Sequence, residues 1–461
     1  MSDFDTLAAM AAKLARGESR ARDLCAHMLD RIARLNPAIN AFSDVTAQTA
    51  MAEAAASDRR REENAVLGPL DGIPIAVKDL IDTTPAVCKA GLEHRATYRP
   101  QQDAPVVQRL RAAGAVILGV TETDPGAFST DTPQVINPLD THRSVGGSSG
   151  GSGASVAAGM AFGAIGTDTG GSVRIPAACC STYGFKPTWG RISARGVMPL
   201  AHSLDHVGSL ARCVEDLQIL QSVLDPNLAT EVEGSVNKKV SLGVAHDYFG
   251  DAEIEIARAM AQVLEVLDAG QIELRGVTLP EPDAVMKFHM VNLPKEAADF
   301  HLQAYPEHWS SYPDLARATV KKGQGVRPAD YETAERLRAK AQAQVDQALE
   351  DVDAILVPVM PIDAPLRDAV TFDLDGNTVT KLEATIRYTA LFNQTGHPVV
   401  SMPAVILDDG RSVNVQLVGR LHSDADLLAL AQELQQVFSV QIDYPSIMET
   451  QALSAGSVRS N

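Results

Sequence analysis

The chain is poor in the features that mark several protein classes. Its 461 residues include five cysteines, an odd number with no CxxC spacing, so neither a disulfide framework nor a cysteine metal site is indicated. Free thiols fit a reducing compartment, and Cys179–Cys180 sits in an apolar context that suits buried structural thiols. Aromatic residues are 5%, too few for a platform of stacked bases. Positive charge is in deficit: 40 Lys and Arg against 58 Asp and Glu give −18, which repels nucleic acid and anionic membranes over most of the surface. No run of 18 apolar residues is free of charge, and the opening MSDFDTLAAMAAKLARGESR lacks the basic start and unbroken apolar segment of a signal peptide. His142, His202, His206 and His397 have no metal-site spacing. These absences imply a cytoplasmic protein with no nucleic-acid partner, no membrane partner and no metal.

What is present is an ordinary globular composition, 45% hydrophobic, with helical periodicity alternating with short apolar runs. Helices are expected over 4–62, with Ser19 as an N-cap, an end at Asn36–Pro37, and a third segment from Ala47 to Glu63. Ile73–Val77 and Ala115–Val120 read as buried strands, and 104–113 and 155–161 as helices. Residues 183–189 read as a turn and 226–239 as a surface loop. The second half repeats the alternation, with strands at 240–245 and 354–358, strand-like pieces at 393–403 and 414–419, and helices at 254–267, 334–350 and 424–437. A helical lobe is expected around 280–350. The pattern predicts one large α/β domain over 1–461, with a mixed, mostly parallel central sheet covered by helices on both faces. Within it, 1–65 holds N-terminal helices, 66–225 a catalytic core, 226–390 a variable substrate-side region, 391–440 a return to the core, and 450–461 a frayed tail.

The most informative stretch is Gly146–Pro176, GGSSGGSGASVAAGMAFGAIGTDTGGSVRIP, with ten glycines and five serines in two clusters around a small-residue run. A phosphate loop would need GxxxxGK[ST], and no lysine follows these glycines. A dinucleotide fingerprint starting at Gly151 has Val156 where its third glycine belongs. A nucleophile elbow is formally satisfied by GGSSG, with Asp363 and His397 or His422 downstream, but DTHRS precedes it rather than a buried strand. A bare glycine loop without chemistry also fits the composition.

The stretch resembles the amidase signature family along its whole length, through GGSSGG at 146–151 and GTDTGGSVRIP at 166–176. GIPIAVKD at 72–79 resembles that family's lysine motif. GFKPTWGRIS, SLDHVGSLAR, AILVPVMP, NQTGHPVVSMP and NVQLVGR resemble its later blocks, in order. The resemblance implies the family's fold and a Ser–Ser–Lys triad without a cofactor. Ser172 would be the nucleophile, Ser148 the bridging serine after a cis Gly147–Ser148 peptide, and Lys78 the base. The backbone N–H groups of Thr169, Gly170, Gly171 and Ser172 would form the oxyanion hole.

The residue chemistry is consistent with those roles. A serine nucleophile needs an adjacent base. Lys78 follows Ile75, Ala76 and Val77, and burial would lower it from an ordinary value of about 10.4 toward neutrality. A hydroxyl can accept one proton while passing on another, as Ser148 would. Gly170 and Gly171 lack side chains, so their N–H groups can converge on an oxyanion. Asp168 and Arg174 are expected to shape the loop, Lys186 to be structural, and Ser149 and Ser152 to bond the backbone. The sequence departs from the family after Val120, where Thr121-Glu122-Thr123-Asp124 follows, and at Gly208-Ser209. Phe128, in the loop 124–132, and Gly147 are the expected substrate contacts. The expected function is hydrolysis of a small-molecule carboxamide, or a related C–N bond, to a carboxylate and ammonia or an amine. The resemblance leaves a homodimer open. It also covers the glutaminase-type subunit of a tRNA-dependent amidotransferase. A non-enzymatic scaffold with this fold would have no need of all three triad residues.

Overall fold

The short apolar runs become strands of one sheet. The computed structural model describes residues 3–228 and 240–449. In chain order these form α1 (Leu7–Ala15), α2 (Ala21–Ile39), β1 (Phe42–Val45), α3 (Ala47–Glu62), β2 (Pro74–Lys78), α4 (Pro105–Ala112) and β3 (Val116–Thr121). Next come α5 (Gly150–Ala157), β4 (Gly163–Asp168), α6 (Arg174–Cys179), β5 (Tyr183–Lys186), β6 (His206–Ala211) and α7 (Val214–Leu224). The second half has β7 (Ser241–Val244), α8 (Ile254–Ala269), β8 (Glu273–Gly276), α9 (Pro282–Ala304), α10 (Asp314–Gln324), α11 (Pro328–Ala348) and β9 (Ala354–Pro358). It closes with a hairpin of β10 (Thr371–Leu374) and β11 (Asn377–Thr380), then α12 (Lys381–Ile386), α13 (Ala390–Gln394), β12 (Val399–Ile406), β13 (Ser412–Val418) and α14 (Asp424–Phe438).

The 11-stranded sheet runs β1-β3-β2-β4-β6-β5-β12-β13-β9-β7-β8. It is mixed, as expected. The parallel pairing lies in two blocks, β3-β2-β4 and β9-β7-β8, where helices return the chain to the same edge. Between them the strands alternate in direction. There β12 and β13 are joined by the tight turn at Asp408-Asp409-Gly410, closed by Leu407 and Arg411, and a short turn admits only antiparallel pairing. One buried apolar cluster extends from Leu7 to Ile447.

Several local expectations change. α2 starts at Ala21 rather than behind a Ser19 cap, because the Asp58 carboxylate accepts the N–H groups of Ala21 (2.7 Å) and Arg22 (3.2 Å). It also continues past Pro37 to Ile39, ending where Asn40 turns left-handed at φ 58°. α5 begins at Gly150 and ends at Ala157, well before the expected 155–161 segment. Glycine is a poor helix former, and this helix is held by burial of all eight residues. Residues 183–186 are strand, not turn, with the strand formers Tyr183 and Phe185 ahead of Pro187. The lobe at 280–350 is helical, built of α9, α10 and α11. Of the loop expected at 226–239 only 226–228 are described, and the tail at 450–461 lies outside the described residues. All five cysteines are buried and free. No described helix is long and apolar enough to cross a membrane.

Candidate active site

Lys78 is the last residue of β2, and the parallel neighbours β3 and β4 cover it. Its side chain is fully buried. Nζ donates to Ser148 Oγ and to Thr167 Oγ1, both at 2.7 Å. Burial pushes the ammonium down to about 7, against the pull of the Asp124, Asp168 and Asp205 carboxylates. Asp124 is itself buried and pushed up to about 7.

The Gly147–Ser148 peptide is cis, as the resemblance implied. Ser149 Oγ donates to the Thr167 carbonyl (3.1 Å) and Ser152 Oγ contacts Thr121 Oγ1 (2.8 Å), so both serines tie α5 to the sheet. The Ser149 N–H donates to the Ser172 carbonyl at 3.3 Å, linking the two glycine–serine clusters through the backbone. No hydrogen bond joins Ser148 Oγ to Ser172 Oγ. Ser148 Oγ is held by Lys78 Nζ instead.

The turn carrying Ser172 is shaped from beneath by a buried ion pair. Asp168 Oδ1 accepts the Gly171 N–H (2.9 Å) and Oδ2 the Val173 N–H (3.1 Å). Arg174 pairs with Asp168 at 2.9 Å, with neither side chain exposed. Burial alone would raise the Asp168 carboxyl, but Arg174 and Asn393 outweigh it and hold it well below the usual range. Arg174 also donates to the Thr389 carbonyl, Gln416 and Asn393, and Thr389 Oγ1 to the Gly170 carbonyl at 2.5 Å. Gly171 has φ +133°, and a Cβ there would collide with Thr389 Oγ1. Asp168 and Arg174 thus fix the loop's form. Lys186 is buried, with Nζ on the Pro187 carbonyl.

Ser172, Thr169, Gly170 and Phe128 line a cavity of about 60 Å³, with Leu200, His289 and Ile386 among its other walls. Lys78 and Ser148 do not line it. Gly147 does not line it, because the residue is packed against the backbone of Thr130 and Asp131. Sequence reasoning missed four residues of this site. Thr167 shares Lys78, Asp205 accepts from Thr169 Oγ1 at 2.7 Å, Asp124 adds a buried carboxyl, and His289 arrives from α9. Thr167 stands in the same TDT as Asp168, Asp205 in SLDHVGSLAR and Asp124 at the start of the 124–132 loop, so these three lay in segments the sequence singled out, whereas His289 had no such signal. Among the described residues no group of three or more His, Cys, Asp or Glu could hold a metal ion.

A family model described as Amidase matches residues 23–428. The chain is 34% identical over 442 residues to the AtzE component of the 1-carboxybiuret hydrolase of Pseudomonas sp. (strain ADP), covering 92% of this chain and 96% of that one. It is 33% identical over 477 residues to a component of the glutamyl-tRNA(Gln) amidotransferase of Thioalkalivibrio sulfidiphilus, covering 94% and 97%. A crystal structure of an amidase superposes with a TM-score of 0.86 at 32% identity, covering 94% of this chain and 99% of the other.

Proposed function

The chain belongs to the amidase signature family of C–N bond hydrolases, and from that premise we propose that it cleaves a small carboxamide through an acyl-Ser172 intermediate. The observation that carries the reading is the buried contact of Lys78 Nζ with Ser148 Oγ at 2.7 Å, next to the Ser149 N–H that donates to the carbonyl of the cavity-lining Ser172. A fully buried lysine brought to about 7 is half neutral at that pH and can take a proton.

Ser172 Oγ attacks the carbonyl carbon, its proton passes to Ser148 Oγ, and the Ser148 proton passes to neutral Lys78. The oxyanion is held by N–H groups of the 169–172 turn. As the C–N bond breaks, the proton returns through Ser148 to the departing nitrogen, which leaves as ammonia or an amine. Water then attacks the ester by the same route, releasing the carboxylate and restoring Ser172. Asp168 and Arg174 position the turn and touch no substrate in this scheme.

Labelling by a fluorophosphonate, read by intact mass, tests the nucleophile: one adduct is expected, lost in Ser172→Ala. Ammonia release across aliphatic amides, aromatic amides, glutamine and ureido compounds then ranks the substrates. Likeness to a glutamyl-tRNA(Gln) amidotransferase component favours a second reading, in which ammonia from glutamine serves a partner protein. Co-purification with such a partner, together with glutamine-dependent tRNA amidation, would support that reading over the first.

A further inference from the structure

The cavity holds a second polar feature that acyl transfer leaves unused. His289 is buried on α9, and its Nδ1 lies 3.0 Å from Gln394 Nε2. The direction of that bond can be traced to a carboxylate. An ionised Glu335 can only accept, and it takes Asn292 Nδ2 at 2.9 Å. The same Nδ2 donates to Gln394 Oε1 at 3.2 Å. Gln394 therefore turns its Nε2 toward His289, whose Nδ1 accepts and whose Nε2 keeps the proton. That N–H has no hydrogen-bond partner among the described residues. It faces the Ser172 turn, since a Cβ built on Gly170 would lie 3.4 Å from Nε2.

Lys322 lines the same cavity from α10. It is exposed, and it makes no ion pair among the described residues. Gly323 allows its approach: a Cβ there would collide with the Pro294 carbonyl oxygen of α9. No acidic side chain is among the cavity-lining residues, and Leu200, Met290, Leu293, Leu382 and Ile386 supply an apolar wall. A largely apolar wall that also carries Ser129, Thr130, Thr169 and Thr319, with one N–H donor, one ammonium and no carboxylate, complements a short aliphatic chain ending in an anion.

We infer that the substrate is an amide whose acyl chain carries a carboxylate, bound by Lys322 Nζ and His289 Nε2–H while the amide carbonyl faces Ser172. This rests on the amidase reading above. One cation and one N–H suit a carboxylate rather than a phosphate dianion, and the small cavity selects a short chain.

The test compares the monoamides of glutaric and adipic acid with pentanamide and hexanamide, by ammonia release. The wild type should favour each charged amide by about tenfold in kcat/KM, through KM, with the preference shrinking as salt rises because Lys322 is exposed. Lys322→Gln should reduce the preference and Lys322→Glu should invert it. Equal or better use of pentanamide by the wild type, or an unchanged ratio in Lys322→Glu, would overturn the inference. If none of the four amides turns over, fluorophosphonate labelling separates the two readings. A labelled Ser172 in an enzyme idle on all four refutes the carboxylate alone, and an unlabelled Ser172 refutes the amidase reading itself.

Discussion

Residues 144–188 and the α9 and α10 helices of the lobe wall the same cavity on opposite terms. The first run is buried without a break, although it carries Ser148, Asp168, Ser172, Arg174 and Lys186. Each of those polar groups except the Ser172 hydroxyl is held by a hydrogen bond or ion pair within the fold. The lobe is largely solvated: α10 buries only Ala316, Val320 and Gly323, and α11 only Ala334, Ala341 and Val345. Yet it places His289, Met290 and Lys322 at the cavity. On the proposed function the buried run would set reactivity, where a shift of an ångström matters. The lobe would set what is admitted, where side chains can change without disturbing the sheet.

This contrast is broken most directly at Ser172. Ser172→Ala should lower kcat by about 10⁴-fold or more, measured as ammonia release. Its unfolding midpoint should hardly move, because Ser172 Oγ makes no hydrogen bond among the described residues. Lys78→Met should cost about 10³-fold in kcat and yet stabilise the protein. Burial brings Lys78 from an ordinary 10.5 to about 7, so between those values the unfolded chain keeps a proton that the native chain lacks. Native stability therefore climbs with pH across that window, and the burden is full below it. Removing the amine should add about 2 kcal/mol at pH 7, net of lost hydrogen bonds to Ser148 and Thr167. The gain should vanish near pH 10, as read by urea unfolding. Wild-type kcat/KM should rise with pH through about 7, following neutral Lys78.

A third substitution tests the frame rather than the reacting groups. Arg174→Met leaves Asp168 ionised and unpaired among residues with no exposure. A loss of about 3–5 kcal/mol in stability is expected, together with lower kcat, because Asp168 also holds the Gly171 and Val173 N–H groups. A variant with near-normal stability would show the pair to be dispensable and Asp168, Asn393 and Thr389 to be enough to hold the turn.

The two regions were also unequally legible in the sequence. Lys78, Ser148 and Ser172 stood out because each lies in a dense run of small or apolar residues whose composition has little other use. The roles of the three residues and the cis peptide before Ser148 came from the family resemblance, and the loop-shaping part of Asp168 and Arg174 from their places beside Ser172. The lobe was not resolved into its elements, because α9 buries His289, Asn292, Glu296 and Pro294 among its apolar residues and so shows no clean periodicity. Nothing local links His289 to Gln394, or Asp205 to Thr169; only the folded chain brings them together. The alternation of helix and strand likewise pointed to parallel pairing but could not reveal the antiparallel centre, where β5 and β6 are short and glycine-bearing. Gly147, an expected substrate contact, instead has its backbone packed against residues 130–131.

The smallest effect is expected at the contact between the two helices of the lobe that bear His289 and Lys322. Gly323→Ala places a methyl against the Pro294 carbonyl, a backbone atom that cannot move aside without shifting α9 or α10. The helix itself gains a better former, by about 1 kcal/mol, so the crossing alone carries the loss. A net cost of about 1–2 kcal/mol in stability is expected. Lys322 moves with α10, so KM should rise severalfold, while the pH midpoint near 7 stays in place because β2 and the 144–188 run are untouched. A shifted midpoint, found from kcat/KM against pH, would mean that the lobe reaches Lys78 and that admission and reactivity are not separable in this fold.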